Sequence, residues 1–182
     1  MPGSILKDIL QEQTPLRTIS RKVLVNTVAG RPEKWVVRKY IRGLTLNVGS
    51  KTDKLKGTVS IDRDPGVFPD IVCDAQNLYL YYNDSTVDCI IAAHLLEHLK
   101  DPGRFVDLCH RLLKPGGHLC LILPDFEAQG SVGYHRTIDH YQEMVKGRVW
   151  AEFRRDTRWS VVQFNKLSFW YFTAFDIVLE KR

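Results

Sequence analysis

The sequence predicts an α/β domain built on a seven-stranded, mostly parallel open sheet with one antiparallel strand near the C-terminus. Three observations carry that prediction. Short apolar runs recur at Leu44–Val48, Thr58–Ile61, Asp70–Cys73, Val87–Ala93 and His118–Leu123, each the length of a strand buried on both faces. An amphipathic segment, Pro102–Leu113, followed by Lys114-Pro115-Gly116-Gly117, separates the last two of them, as a parallel crossover requires. Three of the runs end at a glycine or a carboxylate, Gly49, Asp62 and Asp74.

Residues 1–43 precede the first strand and read as a helical extension or lid, with residues 44–182 as the main domain. Thr14-Pro15 is a helix cap with proline in the first turn, opening a helix to about Val28. Gly30-Arg31-Pro32 breaks it, and a short helix over Glu33–Ile41 follows. Only eight residues, Ser50–Gly57, join the first run to the second, too few for the usual crossover helix. That connection is therefore expected as a loop, solvated by Lys51, Lys54 and Lys56. Tyr79, Tyr81 and Tyr82 lead to the turn signal Asn83-Asp84 ahead of the fourth run. After Pro124-Asp125 comes a polar stretch, then a helix over about Thr137–Trp150. Strands at Trp159–Phe164 and Phe175–Lys181, with Phe169–Phe172 between them, form a closing antiparallel hairpin.

Composition narrows the class. With 182 residues, 44% of them hydrophobic and 26% charged, the chain has the make-up of one soluble globular domain. No stretch reaches the eighteen or more uncharged apolar residues of a membrane span, and Lys7 and Asp8 interrupt the only apolar start, so no signal peptide is expected. The net charge of +5 includes Arg17, Arg21, Lys22, Arg31, Lys34, Arg38, Lys39 and Arg42 near the start; a solvated basic surface accounts for it better than a nucleic-acid face. Cys73, Cys89, Cys109 and Cys120 are widely spaced on apolar stretches, without the clustering of a zinc site. They read as reduced thiols in a cytoplasmic setting.

In open parallel sheets, ligands bind beyond the carboxyl ends of the strands, where strand order reverses. The residues at those ends carry a specific resemblance. The entry Asp84-Ser85-Thr86-Val87-Asp88, the segment His94-Leu95-Leu96-Glu97-His98, and Leu113-Lys114-Pro115-Gly116-Gly117 occur in order within LNVGSKTDKLKGTVSIDRDP…PGGHLCLILPD. This run resembles the class I S-adenosylmethionine-dependent methyltransferases, in particular a short branch associated with glycan and small-molecule pathways. The resemblance implies a Rossmann-like fold, S-adenosylmethionine as cofactor, and methyl transfer to an oxygen or nitrogen acceptor.

It also implies roles for individual residues. Gly49, lacking a Cβ, lets backbone approach the cofactor. Asn47 stands where the family has an acid, and Ser50-Lys51 replaces its next small-glycine pair. Asp62, with Arg63 beside it, is the acceptor for the ribose diol, since one carboxylate takes two donors. Asp74-Ala75 corresponds to the pair that reads the adenine edge. Both aspartates also suit turn caps. His94 lines the cofactor site and can take a proton from an acceptor hydroxyl, whereas Glu97 and His98 are expected to fix the strand-to-helix corner. Asp125 faces the acceptor side, and His135, Asp139, His140 and Tyr141 fall in the variable region that forms the acceptor pocket; a polar helix start explains that cluster equally well. No metal site is expected. The alternatives are a cofactor-binding scaffold without turnover, prompted by the altered loop, a nucleic-acid methyltransferase, prompted by the charge, and another enzyme that uses the same sulfonium cofactor for different chemistry. Against one class of the latter, no Asn/Asp-Pro-Pro-aromatic quartet follows the fourth run.

Overall fold

The computed structural model describes residues 32–124, 155–169 and 172–182. The chain divides into two compact units, Met1–Pro32 and Glu33–Arg182, and the sheet lies wholly in the second. That unit takes in residues 33–43, which the sequence reading assigned to the N-terminal extension. They form a 3-10 helix, Pro32–Tyr40, where a short helix was expected. The expected helices over Thr14–Val28 and Thr137–Trp150 lie outside the described residues.

Seven strands form one sheet: β1 (Thr45–Val48), β2 (Val59–Asp62), β3 (Ile71–Val72), β4 (Val87–Ala93), β5 (Leu113–Pro124), β6 (Trp159–Phe169) and β7 (Phe172–Lys181). Their order is β3-β2-β1-β4-β5-β7-β6. Pairing is parallel from β3 through β5, and β7 runs antiparallel to both β5 and β6. The mostly parallel sheet with a single reversed strand is therefore as predicted.

Burial on both faces explains the unbroken apolar runs. Leu46, Val48, Ile90, Leu119 and Leu121 point to one core, shared with the helix α1 (Pro102–Leu112) through Phe105, Cys109 and Leu112. Cys89, Ile91, Cys120, Ile122 and Val178 point to the other, where Val37 of the first 3-10 helix is buried. The alternation is that of a pleated strand, and residues 105, 109 and 112 fall on one face of a helix. Asp101 starts α1 by accepting a hydrogen bond from the Arg104 N–H, with Pro102 in the first turn. All four cysteines are free and buried, as expected, and burial pushes the Cys109 and Cys120 thiols well up. Among the described residues no helix is long and apolar enough to cross a membrane.

The strand bounds differ from expectation for identifiable reasons. β3 is shorter than the Asp70–Cys73 run because Asp70 is occupied elsewhere: its Oδ2 accepts from both the N–H and the hydroxyl of Ser60, at 2.7 and 2.6 Å. β5 begins five residues early. Leu113 pairs with Val87, a bulge absorbs Lys114–Gly117, and pairing resumes at His118 with Cys89. Gly117 is required there, since a Cβ would lie 2.8 Å from the Lys114 carbonyl oxygen and 3.2 Å from that of Asp88.

The same bulge anchors the start of β1. Asp88 accepts from the Leu44 N–H at 2.8 Å and from the Lys114 ammonium at 2.8 and 2.9 Å. Lys114, then the Leu44 N–H, hold the Asp88 carboxyl below the usual carboxylate range. A carboxyl depressed in the folded state contributes stability above its unfolded pKa and loses it as pH falls through the folded value. Asp88→Asn is therefore expected to cost about 1 kcal/mol or less at pH 7, because its amide oxygen still accepts from the Leu44 N–H while the lost pairing with half-exposed Lys114 is screened. Thermal melts of the two proteins should converge as the pH drops below the carboxylate range.

Candidate functional site

β1, β2 and β3 step outward in one direction and β4 and β5 in the other, so the crevice at the strand ends opens between β1 and β4. Gly49 follows β1 and His94-Leu95 follows β4. The two ends meet: a Cβ on Gly49 would lie 3.0 Å from Leu95 Cδ1, and Gly49 has φ +67°. Both the close approach and the left-handed backbone call for glycine.

The loop after Gly49 is held by β2. The N–H groups of Gly49 and Ser50 both donate to the Ile61 carbonyl, at 2.8 and 3.1 Å. Ser50 is buried, and its hydroxyl donates to the Lys51 carbonyl at 3.4 Å. Lys51, standing where the family pattern has glycine, adopts φ +48°, the left-handed conformation glycine would supply. Its side chain is exposed, as are those of Lys54 and Lys56, and the connection is a loop as expected.

Asp62 sits at the end of β2 and is largely buried. Oδ2 accepts from the Lys51 N–H at 2.7 Å and Oδ1 from the Asp64 N–H at 3.0 Å. It thus ties the glycine loop to the turn after β2. A carboxylate offers about four acceptor directions, so each oxygen retains one for a ligand donor. Arg63 is exposed. Asp74 caps the 3-10 helix Ala75–Leu80 by accepting from the Gln76 N–H at 2.8 Å, and Ala75 is buried. Both aspartates therefore serve as turn caps, and in Asp62 the cap and an acceptor for a diol are compatible.

Asn47 is occupied within the protein. It is fully buried; its Oδ1 accepts from the Lys34 ammonium at 3.2 Å, and its Nδ2 donates to the Asp53 carbonyl at 2.8 Å. Lys34 also pairs with the Asp53 carboxylate at 3.3 Å and is 2% exposed. This corrects the sequence reading of Lys34 as part of a solvated basic surface. Below the loop lies a buried Lys–Asp–Asn cluster. A lone lysine in a basic stretch carries no local mark of burial, because its partners stand thirteen and nineteen residues away.

His94 has φ +52° and its N–H donates to the Ile122 carbonyl at 2.8 Å, bringing the ends of β4 and β5 together. Its Nδ1 lies 3.5 Å from Glu97 Oε1. Asp125, His135, Asp139, His140 and Tyr141 lie outside the described residues. Among the described residues no group of His, Cys, Asp and Glu side chains has the arrangement of a metal site. A surface cavity of about 290 Å³ lies between α1 and the helix Ala75–Leu80, lined by Gln76, Tyr79, Arg104, Asp107, Leu108 and Arg111, and includes none of the strand-end residues.

Residues 50–121, from the glycine loop to β5, match the methyltransferase domain family. No curated protein sequence matches the chain. Among solved structures, the Burkholderia thailandensis 1,6-didemethyltoxoflavin-N1-methyltransferase, with 1,6-didemethyltoxoflavin and S-adenosylhomocysteine bound, is similar at a TM-score of 0.61 and 13% identity; the match covers 90% of this chain and 83% of that one. A SAM-dependent methyltransferase from Aquifex aeolicus matches at 0.59 and 15% identity, over 94% of this chain and 100% of that one. A type 11 methyltransferase homologue from Sulfolobus solfataricus matches at 0.56 and 17%, over 84% and 92%. At these identities the likeness is one of fold.

Proposed function

We propose that this S-adenosylmethionine-dependent methyltransferase transfers the cofactor's methyl group to an oxygen or nitrogen of a small-molecule or glycan acceptor. The observation that carries the reading is the set of parallel strand ends: the Cβ-less Gly49 after β1, Asp62 at the end of β2 and Asp74 after β3, the last two within the matched residues 50–121.

The residues fit such a cofactor. Asp62 retains acceptor capacity on both oxygens for a ribose diol, and Asp74 with Ala75 stands at the end of the neighbouring strand for the adenine edge. The left-handed Lys51 keeps the loop in the shape its missing glycine would otherwise provide. Arg63, exposed beside Asp62, is a further candidate for the cofactor. Asn47 acts indirectly, holding Lys34 and the Asp53 carbonyl beneath the loop rather than reaching a ligand. When bound, the cofactor supplies an electrophilic methyl on a sulfonium and leaves as S-adenosylhomocysteine. What the chain contributes is orientation, exclusion of water and a place for the acceptor's proton. His94 is assigned that place; Asp125 and His135, which lie outside the described residues, are further candidates. Four buried, free thiols support a reducing, cytoplasm-like setting.

Calorimetry with S-adenosylhomocysteine should show one site per chain. No heat and no thermal shift at millimolar ligand would remove the reading. One observation favours a cofactor-binding scaffold as the second reading: Leu95 packs on Gly49 in the middle of the crevice. Binding without methyl transfer to any of a panel of glycan and small-molecule acceptors would select it.

A further inference from the structure

We infer that Arg42 and His118 form a pH-sensitive strap across the start of β5, closed while the His118 imidazole is neutral and released when the ring takes a second proton. The strap lies at the end of β5 away from the crevice and is independent of the reaction carried out there.

Arg42 stands in the short connection between the first 3-10 helix and β1. Its backbone is fixed by Thr45, whose hydroxyl accepts from the Arg42 N–H at 3.1 Å and donates to the Arg42 carbonyl at 2.8 Å. The side chain reaches from there to the bulge of β5. One guanidinium nitrogen, Nη2, donates to the Gly116 carbonyl at 2.5 Å and to His118 Nδ1 at 3.1 Å. His118 is buried, paired across the sheet with Cys89 on one side and Glu180 on the other. The Tyr40 ring, from the end of the 3-10 helix, packs on the imidazole with centroids 4.9 Å apart, and its hydroxyl donates to Gln163 Oε1 at 3.1 Å. The ring of His118 is thus the point where helix, connection and sheet meet.

The protonation state follows from the donor. A guanidinium carries five N–H groups and no acceptor, so Nδ1 presents its lone pair to Arg42. The single proton of the neutral ring is then on Nε2, on the side of the Glu180 carboxylate 3.4 Å away. A proton added at Nδ1 removes the acceptor and sets two cations in contact. Arg42 then swings out to water, where its exposed side chain has room, and the Gly116 carbonyl loses its donor.

The charged and titratable groups around the ring come from several elements. They are Arg42 before β1, Tyr40 and Lys39 of the helix, Cys89 on β4, Cys120 on β5 and Glu180 on β7, while Asp88 feels the Arg42 charge from β4. Burial, and after it the Arg42 charge, holds the His118 ring below the ordinary histidine range; Glu180 acts in the opposite direction. A histidine depressed in the folded state contributes stability above its unfolded value, near pH ~6.5, and that stability is lost as the pH falls below it.

Nitrogen correlation spectra of histidine-labelled protein at pH ~8, where the neutral ring dominates, test the strap directly, with His118 assigned through its backbone. Wild type should show Nε2–H at His118. On acidification the His118 midpoint should lie below that of a free histidine. Arg42→Met removes the charge and the donor from an exposed position and should raise the midpoint; Glu180→Gln should lower it. His118→Gln offers an amide oxygen to Arg42 at every pH. Its melting temperature should therefore gain on that of wild type between pH ~7 and pH ~5. An Nδ1–H tautomer in wild type overturns the strap. So does a midpoint that Arg42→Met leaves in place or lowers, and so does a melting-temperature difference between wild type and His118→Gln that is the same at both pH values. If the chain unfolds in acid before His118 titrates, the tautomer and the melting temperatures decide without the midpoint.

Discussion

Asp62→Ala is expected to weaken S-adenosylhomocysteine binding and to destabilise the fold in the same protein. Losing an acceptor that meets a ligand donor through a charged group costs about 1.5–3 kcal/mol, roughly tenfold to a hundredfold in affinity. The structure adds the second effect. Asp62 accepts the Lys51 and Asp64 N–H groups, so alanine leaves both without their partner where water has little access. That loss is about 2 kcal/mol, or a fall of about 4–8 °C in melting temperature for a chain of this size. Asp62→Asn separates the contributions. Its one amide oxygen can keep the Lys51 N–H while its NH₂ cannot accept from Asp64 or from a diol. Calorimetry and melting curves on the two variants should show Asp62→Asn recovering part of the stability but little of the affinity. Wild-type affinity in a folded Asp62→Ala protein would confine Asp62 to the cap.

Lys34→Met should be among the most destabilising single changes in the described part of the chain. Lys34 and Asp53 are 2% and 10% exposed and face each other at 3.3 Å, with Asn47 Oδ1 as a further acceptor at 3.2 Å. Removing one member of a buried ion pair costs about 3–5 kcal/mol, or about 6–20 °C. Removing both charges is far milder, because two desolvation costs disappear along with the attraction. The double variant Lys34→Met/Asp53→Leu is therefore expected to be more stable than Lys34→Met alone, with a coupling of about 2 kcal/mol in a double-mutant cycle. The pair holds the loop that replaces a crossover helix, so the single variant should also lose S-adenosylhomocysteine affinity. Additive effects in the cycle would show that Asp53 is not the partner that matters.

Both predictions rest on residues whose surroundings the sequence foretold unequally. Asp62 was placed at the end of a strand from the run Thr58–Ile61 and the turn that follows, and it stands there. Its binding to Lys51 and Asp64 lies within the turn chemistry a carboxylate in that position invites. Lys34 was counted with the solvated charges. Helical or strand periodicity reports which face of an element is apolar, and a lysine on such a face reads as an exception until its partner is known. Glu97 was assigned to the corner because it begins the next helical turn, and that corner carries backbone bonds from His98 and Leu99. The early start of β5 was missed because Lys-Pro-Gly-Gly looks locally like a turn, and only the pairing of Leu113 with Val87 makes it a bulge.

What this sequence determined by itself is the succession of elements, the parallel sheet and the strand ends that carry Gly49, Asp62, Asp74 and His94. Each follows from information within a few residues: an apolar run buried on both faces, a connection too short for a helix, a cap or glycine where the chain turns. What only the tertiary structure decided is which polar groups meet. Lys34 reaches Asn47 and Asp53 because a 3-10 helix from before β1 packs under the loop after it, and Leu95 meets Gly49 because β1 and β4 are neighbours across the reversal of strand order. A buried charge is tolerated only where its partner arrives from elsewhere in the chain, and that arrival is a property of packing, which no local pattern encodes.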